Sequence, residues 1–192
     1  MTDKLYAFAF KGLLTEEALD KAGRKNKSLF DDEIEREIAN RLNLSEFDED
    51  LVIRGKKMAI VYTAIFSFER TVREFVSQIL LENKGENWWS ESVSSNIRKK
   101  AESRREEEEK IKWHSPRGQN LIHFTEFGDL ATIMLNNWTL FEPHIQSLDW
   151  AKQIFKSVER SRNVIMHSGE LAIEDIERVS TSMRDWMRQV GE

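Results

Sequence analysis

Apolar residues in the first half of the chain recur at alternating steps of three and four: Met58, Val61, Ile65, Phe68, Val72, Phe75 and Ile79. A helix turns about 100° per residue and gathers such positions on one face, so the spacing predicts a long packed helix. It should run over about residues 49–82 and stop at the polar stretch NKGEN. The same rhythm returns near the end of the chain in Ile176, Val179, Met183, Trp186 and Val190. Between them, WWSESVSSNIRKKAESRREEEEKIKW (88–113) reads as a helix whose far end is a solvated, charged face. Thr125 reads as the N-cap of EFGDLATIMLNNW, and Pro143 interrupts the chain beyond it. Ser147 or Asp149 opens a further helix that Gly169 closes. Upstream, Thr15 with Glu16 and Glu17 starts a short helix that ends before Gly23. The loop GRKNKS and the amphipathic segment DDEIEREIANRL (31–42) follow. About seven helices, no strand pattern and no internal repeat predict an all-α fold. It is an antiparallel helical bundle with a four-helix core and extra helices. Residues 1–45 form an N-terminal helical extension to a main domain over 46–192.

Composition narrows the chemistry. Hydrophobic residues at 40% supply a core, and 33% charged residues with only two prolines and eight glycines favour long helices. The chain has no cysteine, which excludes disulfides, thiolate metal sites and cysteine nucleophiles. His114, His123, His144 and His167 share no close ligand spacing, so neither a metal centre nor any cofactor is expected. No apolar run reaches membrane-spanning length, and Leu5–Phe10 lacks a cleavage pattern, so a soluble, cytoplasmic protein is expected. A net charge of −5 argues against broad electrostatic binding to nucleic acid but leaves room for a small basic cleft.

The stretch VERSRNVIMHSGEL (158–171) departs from a plain core helix. Ile154, Phe155, Val158, Ile165 and Met166 lie within about 80° of Arg162, so a guanidinium interrupts the helix's own buried stripe. Asn163 and His167, four residues apart, stand together at the edge of that stripe. A guanidinium placed there needs a partner. A carboxylate such as Glu69 fits, since it borders the seam of the long helix and can itself pair with Arg73. A phosphate is the other partner that fits, because arginine binds it bidentately, though helical bundles commonly hold satisfied Arg–Glu pairs. His167 near a helix C-terminus serves either as a cap or as an acid–base group, and charge alone does not separate the two.

Other groups carry weaker signals. Trp88 and Trp89 can stack bases or pack between helices. Arg24, Lys25 and Lys27 fit an exposed loop as well as a phosphate contact. Lys99, Lys100, Arg104 and Arg105 fit a basic rim for RNA, weakened by the acidic run Glu106–Glu109 beside it. There is no Gly-rich phosphate loop, no HExxH and no serine-triad spacing.

Arg162 to His167 has the form R-N-x-x-x-H, which resembles the signature of the HEPN superfamily of all-α domains. FSFERTVREFV (66–76), KGENWW (84–89), the stretch from Arg98 to Arg105 and DLATIMLNNWTLF (129–141) resemble one subtype. That subtype occurs at the C-terminus of a eukaryotic transcript-surveillance endonuclease and in prokaryotic defence proteins. The resemblance covers about residues 50–190 and leaves the first 45 outside. It implies a metal-independent ribonuclease, used in antiviral defence or as a toxin, whose composite cleft is built by a homodimer. Catalysis would fall to Arg162, Asn163 and His167, supported by Glu69 and Arg73. RNA and a neutralising antitoxin or defence-system partner would be the partners. A non-catalytic HEPN module that binds RNA or a protein is the alternative.

Overall fold

The computed structural model describes residues 32–191, together with Lys11 and Thr15. The expected helix after Thr15, the loop carrying Arg24, Lys25 and Lys27, and Leu5–Phe10 lie outside the described residues. The chain divides into two compact units, residues 1–49 and 50–192. The described part of the first is α1 (Asp32–Arg41) and a 3-10 turn at Leu44–Glu46. In α1, Arg41 pairs with Glu37 one turn earlier at 2.7 Å.

The second unit is an all-α bundle. Its helices are α2 (Glu49–Lys84), α3 (Trp88–Ser92), α4 (Ser95–Glu109), α5 (Phe127–Asn136), α6 (Trp138–Phe141), α7 (Leu148–Met166) and α8 (Ile173–Val190). A 3-10 turn, Leu121–Phe124, precedes α5, and no strand occurs among the described residues. At 36 residues α2 is the spine of this unit, about 54 Å long at the usual rise per residue. Met58, Ile65, Phe68, Val72, Val76 and Ile79 are buried along it, the seam its apolar spacing predicts. Gly85, at φ 73, ends it in a conformation that costs glycine nothing, and its N–H donates to Leu81 O at 2.9 Å.

Helix directions follow from which residues meet. Glu69 of α2 meets Arg162 near the end of α7, and Met58 accepts the Leu171 N–H just before α8. Trp186, late in α8, reaches Phe68 and Phe75 on α2 and stacks on Trp150, at the start of α7, with the rings only 7° apart. Hence α7 runs antiparallel to both α2 and α8. Trp186 is fully buried, and the stacked pair Phe127–Phe155 joins α5 to α7 beside it. This aromatic cluster locks the four core helices in register, so the end of α7 is held at a fixed height against the middle of α2.

Four boundaries differ from the pattern-based expectation. The helix expected over 88–113 breaks at Val93, which is extended (φ −102, ψ 130) and buried. Asn137 donates its amide to Ser92 O at 3.0 Å, satisfying a carbonyl the break exposes. Its charged end stops at Glu109, because four successive glutamates oppose the macrodipole at a C-terminus and Arg117 folds back to bind Glu108. Burial works against the charge of Glu108, yet the backbone N–H and guanidinium of Arg117, helped by His114, hold its carboxyl below the usual range. Thr125 is not the cap of α5: its hydroxyl turns back to Ile122 O at 2.7 Å, while Asp129 accepts the N–H of the true N-cap, Glu126, at 3.0 Å. The segment after it divides at Asn137 into α5 and α6.

Candidate active site at the end of α7

Ser147 starts α7 by accepting the Trp150 N–H at 3.1 Å. Ala151, Ile154, Phe155 and Val158 then bury one stripe. Arg162 continues that stripe where the core thins, and its side chain keeps 25% exposure. Its Nη1 donates to Glu69 Oε1 at 2.8 Å. The other oxygen of Glu69 accepts from Arg73 Nη1 at 3.2 Å, and Arg73 Nη2 donates to Thr125 O at 3.1 Å. One carboxylate thus lies between two guanidinia, with Glu69 and Arg73 only 14% and 10% exposed. Of the two partners open to Arg162 in the sequence, the carboxylate is engaged, and the remaining guanidinium nitrogens make no hydrogen bond among the described residues. The trio carries a net charge of +1, so an anion arriving at Arg162 meets no excess of negative charge.

The end of the helix is closed by a Schellman turn. Ser168 N–H donates to Ile165 O at 3.0 Å and Gly169 N–H to Val164 O at 2.8 Å. Gly169 is needed for close approach, since a Cβ there would sit 2.7 Å from Val164 Cγ1. The left-handed residue is Ser168, at φ 60, a position glycine would take without strain. Ser168→Gly is expected to raise stability by about 1 kcal/mol in urea unfolding, because Ser168 is exposed and gives up no packing. A loss of stability would show that the serine side chain holds the turn.

That turn leaves Asn163 and the C-cap residue His167 exposed, with no side-chain hydrogen bond among the described residues. Neither touches the Glu69 trio through a hydrogen bond, so the five predicted residues form two groups: the trio, which joins α7 to α2, and the exposed pair Asn163 and His167 at the end of α7. Two residues passed over in the sequence belong to the same face. Lys156, Arg160, Asn163 and His167 follow at steps of four, three and four, all exposed. Lys156 and Arg160 form no ion pair among the described residues, which leaves a basic approach to the motif. The four-three-four spacing that places them on this face is readable in the sequence.

Beside the motif lies an open groove of about 590 Å³, lined by Met58, Ala59, Tyr62, Ile165, Met166 and Gly169 among others. Met166 is 61% exposed on its rim. Arg54 and Glu170 pair at 3.1 Å across its end.

The basic rim expected from Lys99 to Arg105 is corrected for one member. Arg104 donates to Phe124 O at 2.8 Å and pairs with Glu126 and Asp129, so it ties α4 to the start of α5. Trp88 and Trp89 are half-buried against the core. No three His, Asp or Glu side chains among the described residues gather as metal ligands, and no helix there is long and apolar enough to cross a membrane.

His123 carries the clearest pH sensitivity. Burial lowers its pKa from the ordinary 6.5, Arg70 and Arg73 lower it further, and Glu74 opposes them. A histidine kept neutral by folding contributes stability that is present above 6.5 and lost as pH falls through the depressed value. Urea unfolding should therefore show stability falling as pH drops from 6.5 toward the depressed value, with a shallower fall in His123→Gln. An unchanged slope in the variant would contradict this.

The sequence model of the Swt1-like HEPN family matches residues 64–191, which takes in Glu69, Arg73 and the whole of the α7 motif. Neither a curated protein nor a solved structure matches the chain.

Proposed function

The chain belongs to the Swt1-like HEPN family, whose domains are RNase-type or RNA-binding modules, and from that premise we propose that it is a metal-independent endoribonuclease. RNA supplies its own nucleophile, so the protein needs only proton transfer and charge stabilisation. The 2′-oxygen attacks the adjacent phosphorus, the bond from phosphorus to the 5′-oxygen breaks, and the products are a 2′,3′-cyclic phosphate and a 5′-hydroxyl. His167 takes the proton of the 2′-hydroxyl or returns one to the leaving 5′-oxygen. The free donors of Arg162 meet the charge that grows on the phosphoryl oxygens. Asn163 orients the phosphate or the imidazole. Glu69, steadied by Arg73, fixes the direction in which Arg162 points. DNA lacks the attacking hydroxyl and is not cut.

The observation that carries this reading is the division of labour at the end of α7. Arg162 is anchored through one nitrogen with the others free, while Asn163 and His167 face outward unpaired. The basic face of Lys156 and Arg160 supports an RNA path toward them. The apolar groove and exposed Met166 support a second copy covering this end, so that two motifs share one cleft about a twofold axis. Such an enzyme suits a defence or toxin role under the control of a neutralising partner.

The Arg162–Glu69 pair favours a second reading, a non-catalytic module that holds RNA or a protein. Sedimentation alongside cleavage of mixed cellular RNA separates the two. An enzyme with a shared cleft gains specific activity as the dimer fraction rises. Binding without cleavage at any concentration supports the module.

A further inference from the structure

Two neighbouring carbonyls, in the elbow between the 3-10 turn and α5, are held by guanidinia that reach them from different helices. Arg104 of α4 donates through Nη1 to Phe124 O at 2.8 Å, and Arg73 of α2 donates through Nη2 to Thr125 O at 3.1 Å. Thr125 is extended, at φ −88 and ψ 157, and extended backbone turns successive carbonyls to opposite sides. Phe124 and Thr125 are both buried, so each carbonyl needs its donor. Arg104 grips the elbow further through Glu126, which accepts from Nη2, and through Asp129 at 3.6 Å.

The elbow matters because Glu69 and Arg73 cannot place themselves. They stand one turn apart on α2, and Arg73 Nη1 donates to Glu69 Oε2 and to Glu69 O, both at 3.2 Å. Those bonds join α2 to itself, so the pair is free to swing about the helix together. Among the described residues, the hydrogen bond that ties the pair to anything other than α7 is Arg73 Nη2 on Thr125 O. Glu69 then aims Arg162 through Oε1 at 2.8 Å. Four hydrogen bonds and one extended residue thus lead from α4 to the motif, with no bond longer than 3.2 Å. Each has a guanidinium as donor, which makes it stronger than a neutral pair. Arg105, the next residue, points about 100° away round α4. It lines the cavity between α2, α3 and α4, with Nε 3.5 Å from Glu109, so the grip on the elbow belongs to Arg104.

We propose that Arg104 is a positioning residue for Arg162: it fixes the elbow whose Thr125 carbonyl fixes Arg73, and through Arg73 the carboxylate that directs the motif's guanidinium. Arg104 touches neither the substrate nor the reacting atoms. Its effect on rate rests on the ribonuclease reading, whereas its effect on the direction of Arg162 does not. A guanidinium that meets charge only as the charge grows loses rate when displaced, and substrate affinity holds, so kcat falls and KM stays.

The test reads Arg162 with and without turnover. In the full chain, isotopically labelled at its arginine nitrogens, the Nε–Hε resonance of Arg162 is identified by its loss in Arg162→Lys. In Arg104→Leu this resonance shifts or broadens, while that of Arg178, exposed on α8, stays in place. In a Glu69→Gln background the same substitution moves it no further, because the line is already cut. On RNA, Arg104→Leu lowers kcat about tenfold and leaves KM within about twofold. Arg104→Lys keeps the charge but not the fork, gives an intermediate effect, and is read in place of the leucine variant if that one fails to fold. A wild-type chain that cuts no RNA removes the ribonuclease reading and leaves the resonance to decide. An Arg162 resonance unmoved by the Arg104 substitutions overturns the proposal, and so does a lowered melting temperature with kcat unchanged.

Discussion

Replacing His167 by alanine is expected to lower RNA cleavage about 100- to 10,000-fold, the range for removing a general acid or base, while the melting temperature stays unchanged. The contrast is sharp because the structure gives this side chain nothing to hold. It is exposed, it follows the last turn of α7, and the helix is closed by the backbone bonds of Ser168 and Gly169. A histidine serving only as a cap would produce the opposite pattern, a small loss of stability with cleavage intact. Assays of initial rate beside a thermal melt read both quantities on one preparation. Cleavage retained within about twofold would remove His167 from the reaction.

Glu69→Ala is expected to cost about 3 kcal/mol in urea unfolding, because it strands two guanidinia on one spot with no carboxylate between them. Arg73 has no route to solvent, being 10% exposed, whereas Arg162 at 25% swings outward and recovers part of its hydration. That partial escape keeps the loss at the lower end of the range for broken buried pairs. Cleavage falls as well, through Arg162 losing its fixed direction, so this variant separates from His167→Ala by losing stability and rate together. A loss below about 1 kcal/mol would place the trio among ordinary surface pairs and would contradict its anchoring role.

Much of this arrangement was legible in the chain. The three-and-four spacing of α2, α7 and α8 gave the bundle, and the same angular reasoning placed Arg162 in a buried stripe within reach of Glu69. Ser147 and Gly85 acted as their residue types imply. What stayed hidden depended on partners far along the chain. Nothing local to Val93 shows that Asn137 will satisfy the carbonyl exposed by a break there. Thr125 is a good N-cap by type, yet Arg73 takes its carbonyl and its hydroxyl closes the preceding turn. Arg104 and Arg105 are neighbours with the same charge, but successive helix positions point about 100° apart, so one ties two elements and the other lines a cavity.

The most direct test of the central claim is end-group analysis of RNA treated with the protein in excess chelator, using a substrate with a single 2′-deoxy position at the preferred cut. The account predicts cleavage without added metal, 2′,3′-cyclic phosphate and 5′-hydroxyl ends, and no cut at the deoxy position. Ends bearing a free 3′-hydroxyl, or cutting that proceeds past the deoxy nucleotide, would contradict it.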